Sequence, residues 1–217
     1  MNEEIDYKTV AAQLAKPEGE AGIKAAAHMN ISNADMTRHA VDLLNCKDHD
    51  QVLEIGPGNG RFAEYVLSKG TEIHYTGVDI SETMVTTARE INRQYIDAGR
   101  AAFEHVDGQH FPFLDNTFDQ VFTVNTLYFW KNPAQQLTEI KRVLKPAGIF
   151  CLAIASRSFM ERLPFTAHGF TLYTPEEAQK LLAASGFENL DTIIRKHKVI
   201  GAEKKEMMRE EVFLRAL

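Results

Sequence analysis

Two cysteines among 217 residues are too few for a disulfide framework. Cys46, expected on a helix, and Cys151, expected in a strand core, read as small buried hydrophobes. None of the eight histidines stands in an H-x₃-H or H-E-x-x-H spacing, so no metal site is expected. Basic residues are not in excess either. A net charge of −6 gives no electrostatic footprint for nucleic acid. Apolar runs stay short, and Gly148 to Ala155 has only strand length, so the membrane is not an expected partner. The opening Met1-Asn2-Glu3-Glu4 is acidic and unlike the start of a signal peptide. A cytoplasmic location is the resulting expectation. No G-K-[ST] follows a glycine-rich turn, which excludes a P-loop.

What the chain does have is 44% hydrophobic residues, enough for one sizeable core, and strand patterns that alternate with helical ones. That alternation predicts a mostly parallel sheet with helices on both faces. The most informative segment is Glu54-Ile55-Gly56-Pro57-Gly58-Asn59-Gly60, with Asp79 nineteen positions after the last glycine. The apolar Gln51-Val52-Leu53 precedes it and a helical face (Phe62, Val66) follows. The glycines therefore fill a strand-to-helix turn, where they allow positive φ and close approach of a ligand. A second apolar run, Ile73 to Val78, delivers Asp79 at its end, where a carboxylate accepts the hydroxyls of a ribose in dinucleotide folds. The spacing is G-x-G-x-G, however, and not the G-x-G-x-x-G that seats a pyrophosphate on a helix N-terminus. Glu54 would also repel a pyrophosphate, whereas it tolerates a cationic ligand.

Glu-x-Gly-x-Gly-x-Gly resembles the first motif of the class I S-adenosylmethionine (SAM) methyltransferases. Four later segments resemble that family in order. Gly77-Val78-Asp79-Ile80-Ser81 resembles its second motif, with Ser81 as N-cap of a helix whose stripe is Met84, Ala88, Ile91 and Tyr95. Phe103 to Gln109 followed by Phe111-Pro112-Phe113 resembles the third strand. Phe118-Asp119-Gln120-Val121 resembles the fourth, with Asp119 structural and Asn125 at the strand end. Leu144-Lys145-Pro146-Ala147-Gly148 resembles the turn into strand five, after a helix opened by Asn132 and Pro133 with the face Leu137, Ile140, Val143 and Leu144.

The resemblance implies a Rossmann-like fold: a seven-stranded, mostly parallel sheet with a C-terminal antiparallel hairpin, helices on both faces and an N-terminal helical cap. The hairpin falls on Asn189–Arg195 and Glu211–Ala216, with Glu203 to Glu210 open between loop and helix. It implies SAM as cofactor, S-adenosylhomocysteine as product, and Glu54, Gly56, Gly58, Gly60, Asp79, Ile80, Met84, Asp107, Gly108, Gln109 and Asn125 as cofactor-binding residues. The expected division is a cap or lid at 1–32 and a methyltransferase domain at 33–217. Asn33 is expected to cap the first core helix, and His28, Met29 and Asn30 to lie nearest the ligand. An insertion from Arg157 to Tyr173 is expected to wall the substrate pocket or to form a dimer surface; monomer and homodimer stay open.

Methyl transfer is an in-line displacement from a sulfonium, so the protein mainly aligns the reactants and excludes water. A base is needed only for a protonated nucleophile. His110 and Tyr128 are the weak catalytic candidates, with His28 and His168 behind them. Tyr128 and Trp130 are expected on the pocket rim, and Phe129 in the core. Asn125-Thr126-Leu127-Tyr128 lacks both prolines of the [D/N]-P-P-[Y/F] motif of DNA amino-methylating enzymes, and two cysteines are too few for arsenite methylation. The expected partner is therefore a small-molecule substrate, as in the quinone-biosynthesis C-methyltransferases and their relatives, with the methylated atom undetermined. Two alternatives stay open: a non-catalytic SAM-fold scaffold and a nucleotide-binding oxidoreductase.

Overall fold

A computed structural model describes residues 5–200 and 206–217. The chain runs α1 (Tyr7–Ala15), α2 (Gly19–Ser32), α3 (Ala34–Leu44), β1 (Gln51–Ile55), α4 (Ala63–Leu67), β2 (His74–Asp79), α5 (Glu82–Ile91), α6 (Arg93–Asp97) and β3 (Ala101–His105). It continues through β4 (Phe118–Val124), α7 (Pro133–Val143), β5 (Leu144–Ala155), α8 (Arg157–Met160), α9 (Pro175–Ala184), β6 (Asp191–Ile200) and β7 (Glu206–Ala216). The seven strands form one sheet in the order β3-β2-β1-β4-β5-β7-β6. The first five are parallel; β7 is antiparallel to β5, and β6 to β7. This is the expected sheet, including its antiparallel hairpin.

The period of two along each strand sorts apolar side chains onto the two faces. Leu53, Val121, Phe150, Leu152 and Leu214 join the core under α7 and α9. Val52, Phe122, Cys151, Ala153 and Phe213 join the core under α3, α4 and α5. The topology reverses between β1 and β4, so the C-terminal ends of the central strands open a crevice there.

Local chemistry sets most boundaries. Ser81 Oγ accepts from Met84 N and starts α5. Asn132 caps α7, with Pro133 at its first position, and Thr174 with Glu177 forms a capping box on α9. Asp119 is structural, as expected: its carboxylate accepts from Gln51 N at 2.9 Å and from Lys145 Nζ at 2.8 Å, fastening β1, β4 and β5.

Five expectations are corrected, one of them in part. The α5 stripe stops at Asn92, which breaks the helix because its side chain donates to Gly60 O and Ala88 O; Ile91 is left 45% exposed. Asn33 takes the N-cap position of α3 as expected, at the junction with α2, but its side chain makes no cap bond because its amide is engaged elsewhere. Cys46 lies past the end of α3, where Asn45 takes a left-handed turn. The helix before Pro146 ends at Val143, and Leu144 to Gly148 is extended as the start of β5. Both hairpin strands are longer than expected, and 206–210, left open between loop and helix, pairs as strand. The readings of Met1 to Glu4 and of 203–205 fall outside the described residues.

Candidate functional site

A cavity of about 900 Å³ occupies the crevice. Its floor is the glycine turn after β1. Its sides are the tips of β2, β3 and β4 and the start of α7, and its roof is the α1–α2 connector with the second half of α2. The roof is pinned. Ser81 Oγ donates to Pro17 O, Gly19 N to Thr83 Oγ1 at 3.2 Å, and Asn30 Nδ2 to Asn59 Oδ1 at 3.0 Å.

Asp79 is at the centre. One carboxylate oxygen accepts from Gly58 N at 3.0 Å and the other from Ser81 N at 2.9 Å. A carboxylate has about four acceptor positions, so a further one on each oxygen remains for a ligand. Burial pushes its pKa up to about 6, against the pull of those backbone N–H groups. Glu54 behaves alike. Its carboxylate takes the Tyr75 hydroxyl at 2.6 Å, so it turns toward β2, and burial raises its pKa to about 7.

The glycines divide by what surrounds them. Gly58 has φ +56°, and a Cβ there would meet nothing within 4 Å, so any side chain would enter the cavity. A Cβ on Gly56 would meet Thr126 Cγ2 at 2.5 Å. Gly60 does not line the cavity; a Cβ there would strike Phe103 at 2.7 Å, so this glycine seats the turn against β3.

The cavity brings together Glu54, Gly56, Gly58, Asp79, Ile80, Asp107, Gly108, Gln109 and Asn125. Met84 is fully buried beneath Ser81 and does not reach it, because the helix face that carries it packs into the core. The side chain of Asp107 is held by its own turn, accepting from Gln109 N at 2.7 Å and His110 N at 3.0 Å. These bonds hold its exposed carboxyl below its ordinary range.

Neither catalytic candidate faces the cavity. His110 points outward, 76% exposed, and pairs with Glu139 at 3.0 Å. Tyr128 is buried, its hydroxyl lying 2.8 Å from Ala155 O and 3.0 Å from Asn125 Oδ1, and burial raises its pKa well above the ordinary tyrosine value. Phe129 lines the cavity in its place, beside Trp130, because the 3₁₀ turn Leu127–Phe129 rotates Tyr128 inward. His28 and His168 are exposed and off the cavity, whereas Met29 and Asn30 line it. None of 157–173 lines it; this insertion backs the turn through Phe170, whose ring lies 4.6 Å from that of Phe129.

The sequence reading missed Asn33, Thr37, Asn59, Phe62, Thr126, Gln135 and Gln136. Asn59 was visible inside the glycine turn. Phe62 and Thr126 adjoin the glycine turn and Asn125 and could have been read with them, whereas Asn33, Thr37, Gln135 and Gln136 carry no local signal, because tertiary packing brings them to the cavity.

A family model described as Methyltransferase domain matches residues 53–152, the segment that builds the floor and sides of this cavity. The chain carries a class I SAM-dependent methyltransferase domain. This methyltransferase is 25% identical over 167 residues to the uncharacterized methyltransferase YdaC of Bacillus subtilis, covering 75% of this chain and 85% of that protein. It is 26% identical over 173 residues to the O-methyltransferase resE of Aspergillus sclerotiorum, covering 75% of this chain and 64% of that longer protein. Among solved structures, the putative methyltransferase in complex with the Trm112 activator of Haloferax volcanii superposes with a TM-score of 0.77 at 21% identity, over 94% of this chain and 96% of that one. The methyltransferase takes SAM as its cofactor. Among its described residues, no helix is long and apolar enough to cross a membrane, and no cluster of three or more His, Cys, Asp or Glu could hold a metal ion.

Proposed function

We propose that this methyltransferase transfers the methyl group of SAM to a small-molecule acceptor inside the roofed cavity. Asp79 accepts both ribose hydroxyls through its open positions, and Ile80 lies against the adenine. Asp107 and the Gly108 backbone meet the edge of the adenine ring, with Gln109 beside them. Gly56 and Gly58 underlie the amino-acid part of the cofactor, whose ammonium is compensated by Glu54. Asn125 stands at the reacting end. The observation that carries this reading is the buried Asp79 carboxylate, fixed by Gly58 N and Ser81 N with acceptor capacity left over at the cavity wall. A cavity of about 900 Å³ lies high in the range for small-molecule sites and leaves room for a second molecule beside the cofactor.

Residues 1–32 act as a lid over this site. Support comes from the hydrogen bonds that tie Pro17, Gly19 and Asn30 to the α5 start and the glycine turn. Closure keeps water from the sulfonium. Calorimetric titration with SAM, S-adenosylhomocysteine and NAD tests the cofactor site: a scaffold that has lost the cofactor binds none, and an oxidoreductase prefers NAD. Slower hydrogen exchange in residues 5–32 on adding S-adenosylhomocysteine tests the lid; equal exchange with and without ligand refutes it. A screen of metabolite extracts with methyl-labelled SAM identifies the acceptor.

A further inference from the structure

Arg209, on β7, lies at the α2–α3 junction 176 residues earlier in the chain. It is buried and donates to Ser32 O at 2.7 Å and to Asn33 Oδ1 at 3.1 Å, while Glu211 Oε1 approaches its Nε at 3.1 Å. A guanidinium only donates, so the atom of Asn33 that faces it must be the amide oxygen. The same oxygen accepts from Asn125 Nδ2 at 3.2 Å. Asn125 is oriented just as firmly, because Ala155 N donates to its oxygen at 3.1 Å and thereby turns its nitrogen toward Asn33. With its oxygen doubly engaged, Asn33 has its Nδ2 donor left over, without a protein partner among the described residues, on a side chain that lines the cavity.

The surroundings say what this donor suits. Around it stand Asn30, Thr37, Asn125 and Thr126, all neutral. The cavity's carboxylates belong to the tips of β1, β2 and β3, and Glu54 is turned toward β2. Behind Asn33 lies the buried Arg209, paired with Glu211, and the cationic side chains among the cavity's lining residues are Lys16 and Lys131. His28, His110, Tyr128 and His168 do not reach the cavity, and the histidine that lines it, His105, stands at the β2–β3 end with its Nε2 3.2 Å from Ile80 O. An acceptor whose nucleophile is already ionised needs no base.

We propose that Asn33, held by Arg209, donates its amide hydrogen to an anionic oxygen of the methyl acceptor, an ionised acidic hydroxyl or carboxylate. Asn33 is a substrate-binding residue and Arg209 is its positioning residue. The oxyanion attacks the methyl carbon, the O–C bond forms as the C–S bond breaks, and the electron pair goes to sulfur, leaving the neutral thioether. No proton has to be moved. This inference rests on the cofactor reading above and deepens it.

The test is Asn33→Asp. The replacement keeps an oxygen for Arg209 and for Asn125, removes the donor and adds a negative charge; Asn33→Ala, which removes the donor without adding charge, should also weaken the anions, and intact anion affinity in Asn33→Ala overturns the proposal. Binding of 4-nitrophenolate, benzoate and benzylammonium is measured by calorimetry on the protein saturated with S-adenosylhomocysteine. Expected are binding of one or both anions to the native chain in preference to benzylammonium, at least tenfold weaker anion binding in Asn33→Asp, and an unchanged or raised melting temperature. S-adenosylhomocysteine affinity should stay within about twofold. Arg209→Lys, which keeps a charge beside Glu211, should weaken the anions to a lesser degree. The proposal is overturned if none of the probes binds the native complex, if benzylammonium is preferred, or if Asn33→Asp leaves anion affinity intact. It is also overturned if the loss falls on S-adenosylhomocysteine instead. Failure of S-adenosylhomocysteine to bind the native chain would sink the cofactor reading itself, and is seen before any probe is added.

Discussion

The two ends of the cavity are built in different ways. At the β1–β3 end, ligand contacts come from strand tips and tight turns, each within a few residues of its neighbours in sequence: Glu54, Gly56 and Gly58 in one turn, Asp79 and Ile80 in another. Two of these groups are carboxylates that burial pushes up to about 7 and about 6. At the β4 end the wall is amide, hydroxyl and aromatic, with Lys131 and no carboxylate, and its parts come from α2, α3, the β4 tip, the start of α7 and, behind them, β7. The first end is suited to a ligand with hydroxyls and positive charge, the second to an uncharged or anionic one. A fixed cofactor and a variable acceptor make different demands. A short motif can carry the first, while the second is assembled by packing.

The sharpest way to break this contrast is Gly58→Val. Its side chain would enter the cavity and its left-handed backbone would be strained, so SAM binding should be abolished in calorimetry. Normal binding would show the turn to be purely architectural. Next is Asp79→Ala, which removes two hydrogen bonds to a charged acceptor, roughly 1.5–3 kcal/mol each. SAM should bind two or more decades more weakly while the fold is kept, since an uncharged residue escapes the burial penalty. Together with Asn33→Asp this makes a pair: one variant should lose the cofactor and keep the anion site, the other the reverse.

A smaller effect follows from the raised carboxyls. A cationic, hydroxyl-bearing ligand favours their ionised forms, so SAM affinity should be highest near pH 8. It should fall by up to about tenfold per pH unit as Glu54 and then Asp79 take up protons through 7 and 6. In the free protein the sign is opposite. Folded-state values above the unfolded ones mean that this contribution to stability is complete below the ordinary carboxylate range. It is lost as pH rises through 6 to 7. Glu54→Gln should therefore raise the melting temperature of the ligand-free chain at pH 8, by an effect of roughly 1–3 kcal/mol, and weaken SAM. A melting temperature that falls at pH 8 would contradict the burial argument. The smallest expected effect is His110→Ala: on its exposed ring, paired with Glu139, the change should leave the rate of labelled-methyl transfer within about twofold. A large rate loss would return a base to the mechanism.

What the sequence by itself determined is the part governed by short-range rules. The apolar runs Gln51–Leu53 and Ile73–Val78 located the strands that flank the glycine turn. Ser81, Asn132 and Thr174 opened their helices by capping, and the G-x-G-x-G turn with Asp79 located the cofactor end, because positive φ and strand-end placement are set within one strand-turn-helix unit. Tertiary structure alone decided the rest. It buried Tyr128 and exposed Phe129 to the cavity, through the 3₁₀ turn that follows Asn125. It sent His110 outward to Glu139, withdrew Met84 and Gly60 from the cavity, and let Asn92 end α5 by reaching back to Gly60. It also joined Asn33 to Arg209. Side chains that meet across such separations leave no spacing to read; their contact exists only once the sheet has closed and α2 has been laid across it.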